Sequence, residues 1–235
     1  MGIVSGAVSL GLLWAVMTIG VFISYRILDI ADLTVEGSIA MGAAIAAREI
    51  AAGGNPYMAT LLALLGGMAA GLCTGLLQTR LKIPPLLSGI LVMIALWSVN
   101  LRIMGKSNIS LLRMKTVYTV FESMGLSGTA SIIVLGLLCV FLLISVLYWF
   151  FGTEVGSAIR ATGSNPHMAR AQGINTDTVT CLGLLISNGL VAASGALIAQ
   201  SQSYADVQMG TGPGAGGGNL SDDHCPGVEA GYAGQ

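Results

Sequence analysis

The chain has 235 residues, of which 54% are hydrophobic and 9% charged, and its mean hydropathy is +0.81. These values exclude an ordinary soluble globular domain and predict an all-α polytopic membrane protein. The net charge of −1 provides no basic surface, so we expect no nucleic-acid partner. The four cysteines and two histidines show no metal-binding or catalytic spacing, so we expect no catalytic residue, no metal, no cofactor and no enzyme activity.

The first predicted span covers residues 3–25. In the next segment, 27–47, three acids precede eleven uncharged small or apolar residues, which are too few to cross a bilayer alone. We therefore predict a broken or partly solvated helix, with Asp32 or Thr34 as its cap and Glu36 in its first turn. Such a break typically lines a transport path or a protein-filled interior. The alternative is that these acids lie in water at the membrane interface.

Four further apolar segments are predicted to span the membrane. They cover residues 57–79, 84–101, 132–151 and 178–199. In the first of these segments Gly67, Gly71 and Gly75 recur every fourth residue, which predicts close packing of this face against another helix. Together with the first span and the broken helix, the chain is expected to contain about six transmembrane or half-transmembrane helices.

The polar segment 154–175 contains the signals that start and stop a short helix. Asn165 suits the N-cap, Pro166 suits the first helical position, and Gly173 suits the position just past the end. A helix of about seven residues is too short to be stable alone, so its surroundings must hold it. The pattern fits a docking element for a partner, and it equally fits an ordinary interfacial loop that packs on its own bundle.

The same segment carries a family resemblance. From Gly156 to Asn175 it reads G-x-x-x-R-A-x-G-x-N-P-x-x-A-x-x-x-G-I-N, which resembles the cytoplasmic loop of ABC-importer permeases of the branched-chain amino acid and ribose transporter family. The element D-L-T-V-E-G-S at 32–38 is similar to the element that follows the first span in that family. The chain looks closest to an uncharacterised permease subgroup that is paired with amino-acid-binding lipoproteins.

The resemblance implies a short cytoplasmic coupling helix that seats in a groove of an ABC ATPase subunit. The residues of this coupling element would be Arg160, Asn165, Pro166, His167, Arg170 and Gly173. The resemblance also implies a homodimer of permease subunits, an extracytoplasmic solute-binding protein and a multi-pass location in the cell (inner) membrane. Because the chain has no G-x-x-x-x-G-K-[ST] loop, the nucleotide would be bound by the separate ATPase.

The function expected on this basis is that of the permease subunit of an ATP-driven importer for a small solute, with an amino acid preferred. Two alternatives stand beside it. One is a secondary transporter whose intramembrane acids bind protons or sodium. The other is a non-functional truncated permease.

Residues 206–235 differ in composition from the rest of the chain. They contain nine glycines, four acids and no Lys or Arg, which predicts a Gly-rich disordered tail. The permease domain is accordingly placed at 1–205. It looks C-terminally incomplete, as after a truncation or a frameshift, because the resemblance stops near Gly212. On that view the small-residue face of the span at 178–199 should be exposed to lipid, where further spans would have covered it.

Overall fold

A computed structural model of the chain describes residues 2–112, 114, 116–119 and 128–210. In chain order the helices are α1 (Gly2–Phe22), α2 (Thr34–Ala51), α3 (Pro56–Thr79), α4 (Pro85–Met104), α5 (Gly128–Phe151), α6 (Glu154–Ser164), α7 (Pro166–Ala171) and α8 (Thr176–Gln202). A π-helical turn, Ile23–Ile27, extends α1. Two short strands, β1 (Asn108–Ser110) and β2 (Tyr204–Asp206), pair antiparallel, with Ile109 opposite Ala205.

Five of these helices are long and apolar enough to cross a membrane: α1 with its π-helical turn, α3, α4, α5 and α8. They correspond to the five complete spans predicted from the sequence. A further helix, α2, contains Glu36, Arg48 and Glu49, yet most of its residues are buried inside the bundle. The protein is therefore an all-α polytopic membrane protein, which confirms the predicted fold class.

The helix ends follow local sequence signals. At the start of α3 the Asn55 side-chain oxygen accepts a hydrogen bond from the Tyr57 backbone N–H at 3.2 Å, and Pro56 occupies the first turn. The next span, α4, begins with Pro85 and ends before Gly105, whose φ of +67° is a left-handed conformation typical of helix C-termini.

Helix α8 lies at the centre of the bundle, in contact with α1, α2 and α3. Its small residues allow backbones to approach closely. A Cβ atom on Gly195 would collide with the Ile39 carbonyl of α2, and a Cβ atom on Gly42 would collide with the Ala192 carbonyl of α8. The expectation that this small-residue face is exposed to lipid is wrong, because α1, α2 and α3 already cover it.

The segment after α8 returns to the bundle and packs against it. The Val207 N–H donates to the Ser107 carbonyl at 3.2 Å, and the side chains of Ala205, Val207 and Met209 are buried. Strand pairing and burial therefore hold residues 206–210, which the sequence analysis assigned to the tail, against the bundle. The remainder of the predicted disordered tail, 211–235, lies outside the described residues.

Candidate functional site

The predicted helix break lies between α1 and α2. Beyond the π-helical turn the chain leaves the helical path, and Asp29 adopts a φ of +57°. Helix α2 then begins at Thr34, whose backbone N–H donates to Asp32 Oδ1 at 2.9 Å. One of the free N–H groups at the start of α2 thus finds its acceptor in the carboxylate of Asp32, at a helix end whose dipole favours negative charge.

The second carboxylate oxygen of Asp32 contacts α8. Asn188 Nδ2 donates to Asp32 Oδ2 at 2.7 Å and to the Leu184 carbonyl at 3.2 Å. On its other side Asn188 Oδ1 accepts a hydrogen bond of 2.7 Å from Ser38 Oγ. Ser38 and Asn188 are fully buried, so one amide joins the helix break, α2 and α8.

A second polar contact lies beside the first. The hydroxyls of Thr34 on α2 and Thr74 on α3 are 2.8 Å apart and both residues are fully buried. We call this group the polar cluster; its members are Asp32, Thr34, Ser38, Thr74 and Asn188. It fastens α2 to two spans, and each of its polar side chains has a hydrogen-bond partner within the protein.

The glycine face of α3 packs directly on α8. A Cβ atom on Gly67 would collide with Ala192 and the Asn188 carbonyl, and one on Gly71 would collide with the Leu184 carbonyl. At Gly75 a Cβ atom would lie 2.9 Å from the Cα of Cys181. The absence of these side chains brings the α3 backbone close enough for Asn188 to sit between α2 and α3.

Sequence reasoning missed Asn188 and Thr74. It treated the region around Asn188 only as part of a span, although an amide within an apolar helix signals a polar contact in the membrane. Glu36, which was grouped with Asp32 and Thr34, does not join the polar cluster. It instead lines a cavity of about 220 Å³ between α2 and α4, together with Trp97 and Asn100.

The predicted short helix is α7, which the structure places between α6 and α8. Asn165 Oδ1 accepts a hydrogen bond from the Met168 N–H at 3.0 Å, Pro166 is the first helical residue, and Gly173 has a φ of +85°. Each cap and stop signal thus acts at the predicted position. His167 and Met168 are exposed on this helix.

Arg170 is less available to a partner than the sequence suggested. Its Nε donates to Thr176 Oγ1 at 2.7 Å and its Nη2 to Asp177 Oδ1 at 3.3 Å. Both charged side chains of the resulting ion pair are more than half exposed, so the ion pair contributes little stability by itself. It does join α7 to the first turn of α8.

Helix α6 is seated on the ends of the membrane-spanning helices. Arg160 Nη2 donates to the Phe151 carbonyl at 2.9 Å. A Cβ atom on Gly163 would collide with the Ile27 carbonyl, and one on Gly156 with the Phe150 carbonyl. Two glycines therefore let α6 pack on α5 and on the end of α1, which supplies the support that the short α7 requires.

No metal site accompanies these features. In the part of the chain that the structure describes, His, Cys, Asp and Glu side chains form no group of three or more that could hold a metal ion. The polar cluster contains one acid, hydroxyls and an amide, and these groups are satisfied by one another and by the backbone. The arrangement suits structural coupling between helices.

Comparison with known proteins identifies the family. Residues 3–216 match the family described as "Branched-chain amino acid transport system / permease component". The chain belongs to this permease family. It is a membrane permease component of an ABC transport system, and the family implies an ATPase and a binding protein as partners in general.

Individual relatives agree with the family. The chain is 45% identical over 211 residues to a tyrosine transport system permease protein of Clostridioides difficile (strain R20291), covering 88% of this chain and 69% of that protein. It is 36% identical to an uncharacterized protein of Rickettsia prowazekii (strain Madrid E), covering 90% and 73% respectively. It is 29% identical to a galactofuranose transporter permease protein of Escherichia coli (strain K12), covering 75% and 50%. No solved structure gives a significant match.

Proposed function

We propose that this chain is the permease subunit of an ATP-driven importer whose solute is an amino acid. Two copies would form the transport path across the cell (inner) membrane, and an extracytoplasmic binding protein would deliver the solute. The α6–α7 loop would be the docking element for the ATPase, with α7 as the coupling helix. Membership of an ABC permease family favours this function over a secondary transporter driven by an ion gradient.

The observation that carries the proposal is the position of α7. This six-residue helix is capped at both ends and rests on α6, and it exposes His167 and Met168 to solvent. A packing role within the bundle would bury this surface, whereas only Ala169 of α7 is buried. An exposed surface on a helix that its neighbours hold rigidly is what an ATPase groove requires.

A continuous set of contacts leads from α7 into the membrane. Arg170 joins α7 to Thr176 in the first turn of α8, and Asn188 lies on α8 about 18 Å further along its axis. Asn188 in turn holds the Asp32 and Ser38 side chains at the start of α2. Movement of α7 with an ATPase would therefore shift α8 and α2 together, as rigid-body alternating access requires.

The solute class is supported by a relative. The tyrosine transport permease matches 88% of this chain at 45% identity, whereas the galactofuranose permease matches 75% at 29% identity. An amino acid is accordingly preferred over a sugar.

The proposal is tested by purifying the tagged chain from its own host in detergent and measuring the ABC ATPase that accompanies it. Met168→Glu places a charge on the exposed face of α7, where the Met168 side chain is 61% exposed, and leaves the Asn165 cap in place. We expect this variant to insert normally and to lose most of the ATPase. The matched control is Leu112→Glu, at a 73% exposed site beyond the other end of the bundle, which should retain the ATPase.

Uptake of labelled tyrosine by proteoliposomes that hold the complex and its binding protein measures transport. Unchanged ATPase retention in Met168→Glu would contradict the assignment of α7 as the coupling helix. Absence of any ATPase on the unmodified chain, together with absence of uptake, would favour a non-functional permease.

A further inference from the structure

The cavity that Glu36 lines has features of a ligand site. It lies between α2, α4 and the segment 207–210, and its volume is about 220 Å³. This is below the range of about 300–1,000 Å³ typical of pockets for drug-sized ligands, and it suits a small solute. Its polar lining is supplied by Glu36, Ser98 and Asn100, and its apolar lining includes Met93 and Trp97.

Asn100 has an oxygen without a partner. Its Nδ2 donates to the Gly37 carbonyl at 3.3 Å, which sets the orientation of the amide. Its Oδ1 is buried and accepts no hydrogen bond, and the residue as a whole is 1% exposed. Leaving a buried amide oxygen unpaired is unfavourable. Asn100 therefore brings an unused acceptor to the wall of the cavity that it lines.

Glu36 adds a negative charge to the same cavity. Its carboxylate makes no hydrogen bond or ion pair with any residue in the described part of the chain, whereas each carboxylate oxygen of Asp32 accepts one hydrogen bond. An acid inside a membrane bundle normally pairs with another group or faces a water-filled path. The cavity thus offers acceptors and an anion, and none of its lining residues is basic.

The apolar lining supplies a surface for the rest of the ligand. Trp97 stands on α4 at the cavity with 43% of its surface exposed. The face of an indole ring attracts a cation, and its area also stacks on an aromatic ring. An ammonium group between an anion, an amide oxygen and an indole would satisfy each of them.

We propose that this cavity binds the protonated amino group of the transported solute, with Glu36 and Asn100 as acceptors and Trp97 against its apolar part. The inference rests on the proposed function, since it assigns the amino-acid class of solute to particular side chains. It explains why Glu36 stands apart from the polar cluster although only one residue separates it from Thr34: it contacts the solute, whereas Asp32 and Thr34 hold helices.

The test uses the full chain in lipid nanodiscs and equilibrium binding of tritiated L-tyrosine. Tyramine, which has the amine but no carboxylate, and 3-(4-hydroxyphenyl)propanoate, which has the carboxylate but no amine, serve as competitors. We expect tyramine to compete and the propanoate not to compete. Glu36→Gln should weaken tyrosine binding at least about tenfold, as the loss of one charged hydrogen bond predicts.

Two further variants separate binding from folding. Trp97→Leu changes a partly exposed side chain, which the fold should tolerate, and it should weaken binding severalfold. Glu49→Gln makes the same acid-to-amide change as Glu36→Gln but lies near the opposite end of α2, away from the cavity. It should bind tyrosine as the unmodified chain does.

The inference is overturned if the unmodified chain binds no tyrosine, if the propanoate competes as well as tyramine, or if Glu36→Gln binds as tightly as the unmodified chain. These results are independent of ATPase retention, which is measured on the same preparations. Retention with unchanged tyrosine binding in Glu36→Gln would reject the cavity and leave the proposed function standing. Loss of retention in every variant and in the unmodified chain would reject the proposed function instead.

Discussion

The contact between Asp32 and Asn188 is expected to stabilise the bundle measurably. The bond of 2.7 Å joins a carboxylate to a fully buried amide, across 156 positions of the sequence. Truncation of Asn188 to alanine removes it, and also leaves the buried hydroxyl of Ser38 without its acceptor. We expect Asn188→Ala to lower the free energy of unfolding by about 2–4 kcal/mol, because an unsatisfied buried group adds to the lost bond.

A double-mutant cycle isolates the bond itself. Asp32→Ala, Asn188→Ala and the combined variant should show a coupling energy of about 1–2 kcal/mol. This value lies between the average of about 0.6 kcal/mol for hydrogen bonds between membrane helices and the roughly 1.5–3 kcal/mol for bonds to charged groups. The solvent contact that Asp32 keeps places the estimate below the upper end of that range.

Reversible unfolding in mixed micelles, followed by circular dichroism, gives the four free energies. The matched control is a second cycle with Asp29→Ala in place of Asp32→Ala. Asp29 is exposed and lies in the same break, but makes no bond to Asn188. Its coupling should be zero within about 0.5 kcal/mol, the usual limit of additivity. Equal coupling in the two cycles would refute the assignment of a specific Asp32–Asn188 bond.

Two further predictions concern packing and pH. Gly71→Ala should destabilise the chain by about 1–3 kcal/mol through overpacking, since its Cβ atom meets the Leu184 backbone, whereas Gly11→Ala, with nothing within 4 Å, should be neutral or slightly stabilising in the same unfolding assay. Burial raises the pKa of Tyr118, whose hydroxyl donates to the Leu197 carbonyl. A raised pKa means that this group favours the folded state fully below its unfolded pKa near 10 and progressively less as pH rises above it. Tyr118→Phe should therefore flatten the alkaline loss of stability measured by thermal unfolding between about pH 8 and pH 11; an unchanged pH profile would contradict the role of this residue.

Local signals in the sequence were sufficient to predict the membrane spans and the short helix α7, although not α6. Apolar runs of sufficient length predicted the five spans, since a bilayer core needs about 20 helical residues. Asn165, Pro166 and Gly173 predicted the start and end of α7 because caps depend only on neighbouring backbone groups. The acids before α2 predicted a helix break for the same local reason, and Asp32 accepts the N–H of Thr34 there.

Contacts between distant residues could not be predicted in this way. The sequence contains no local signal that Asn188 meets Asp32 and Ser38, or that Thr34 meets Thr74, because those pairs depend on which helix faces fold together. For the same reason the periodicity of the sequence could not predict that β2 pairs with β1, about a hundred residues earlier in the chain. Only the packed bundle shows that residues 206–210 are held.

The roles of the three residues at the break show the difference most clearly. By itself the sequence determined that Asp32, Thr34 and Glu36 lie at the start of a helix, because composition and capping are local properties. The tertiary structure decided that Asp32 and Thr34 bind other helices while Glu36 faces a cavity with Trp97 and Asn100. Successive residues of α2 point toward different neighbours, and only the arrangement of α3, α4 and α8 around it determines which side chains are satisfied by protein and which line a cavity.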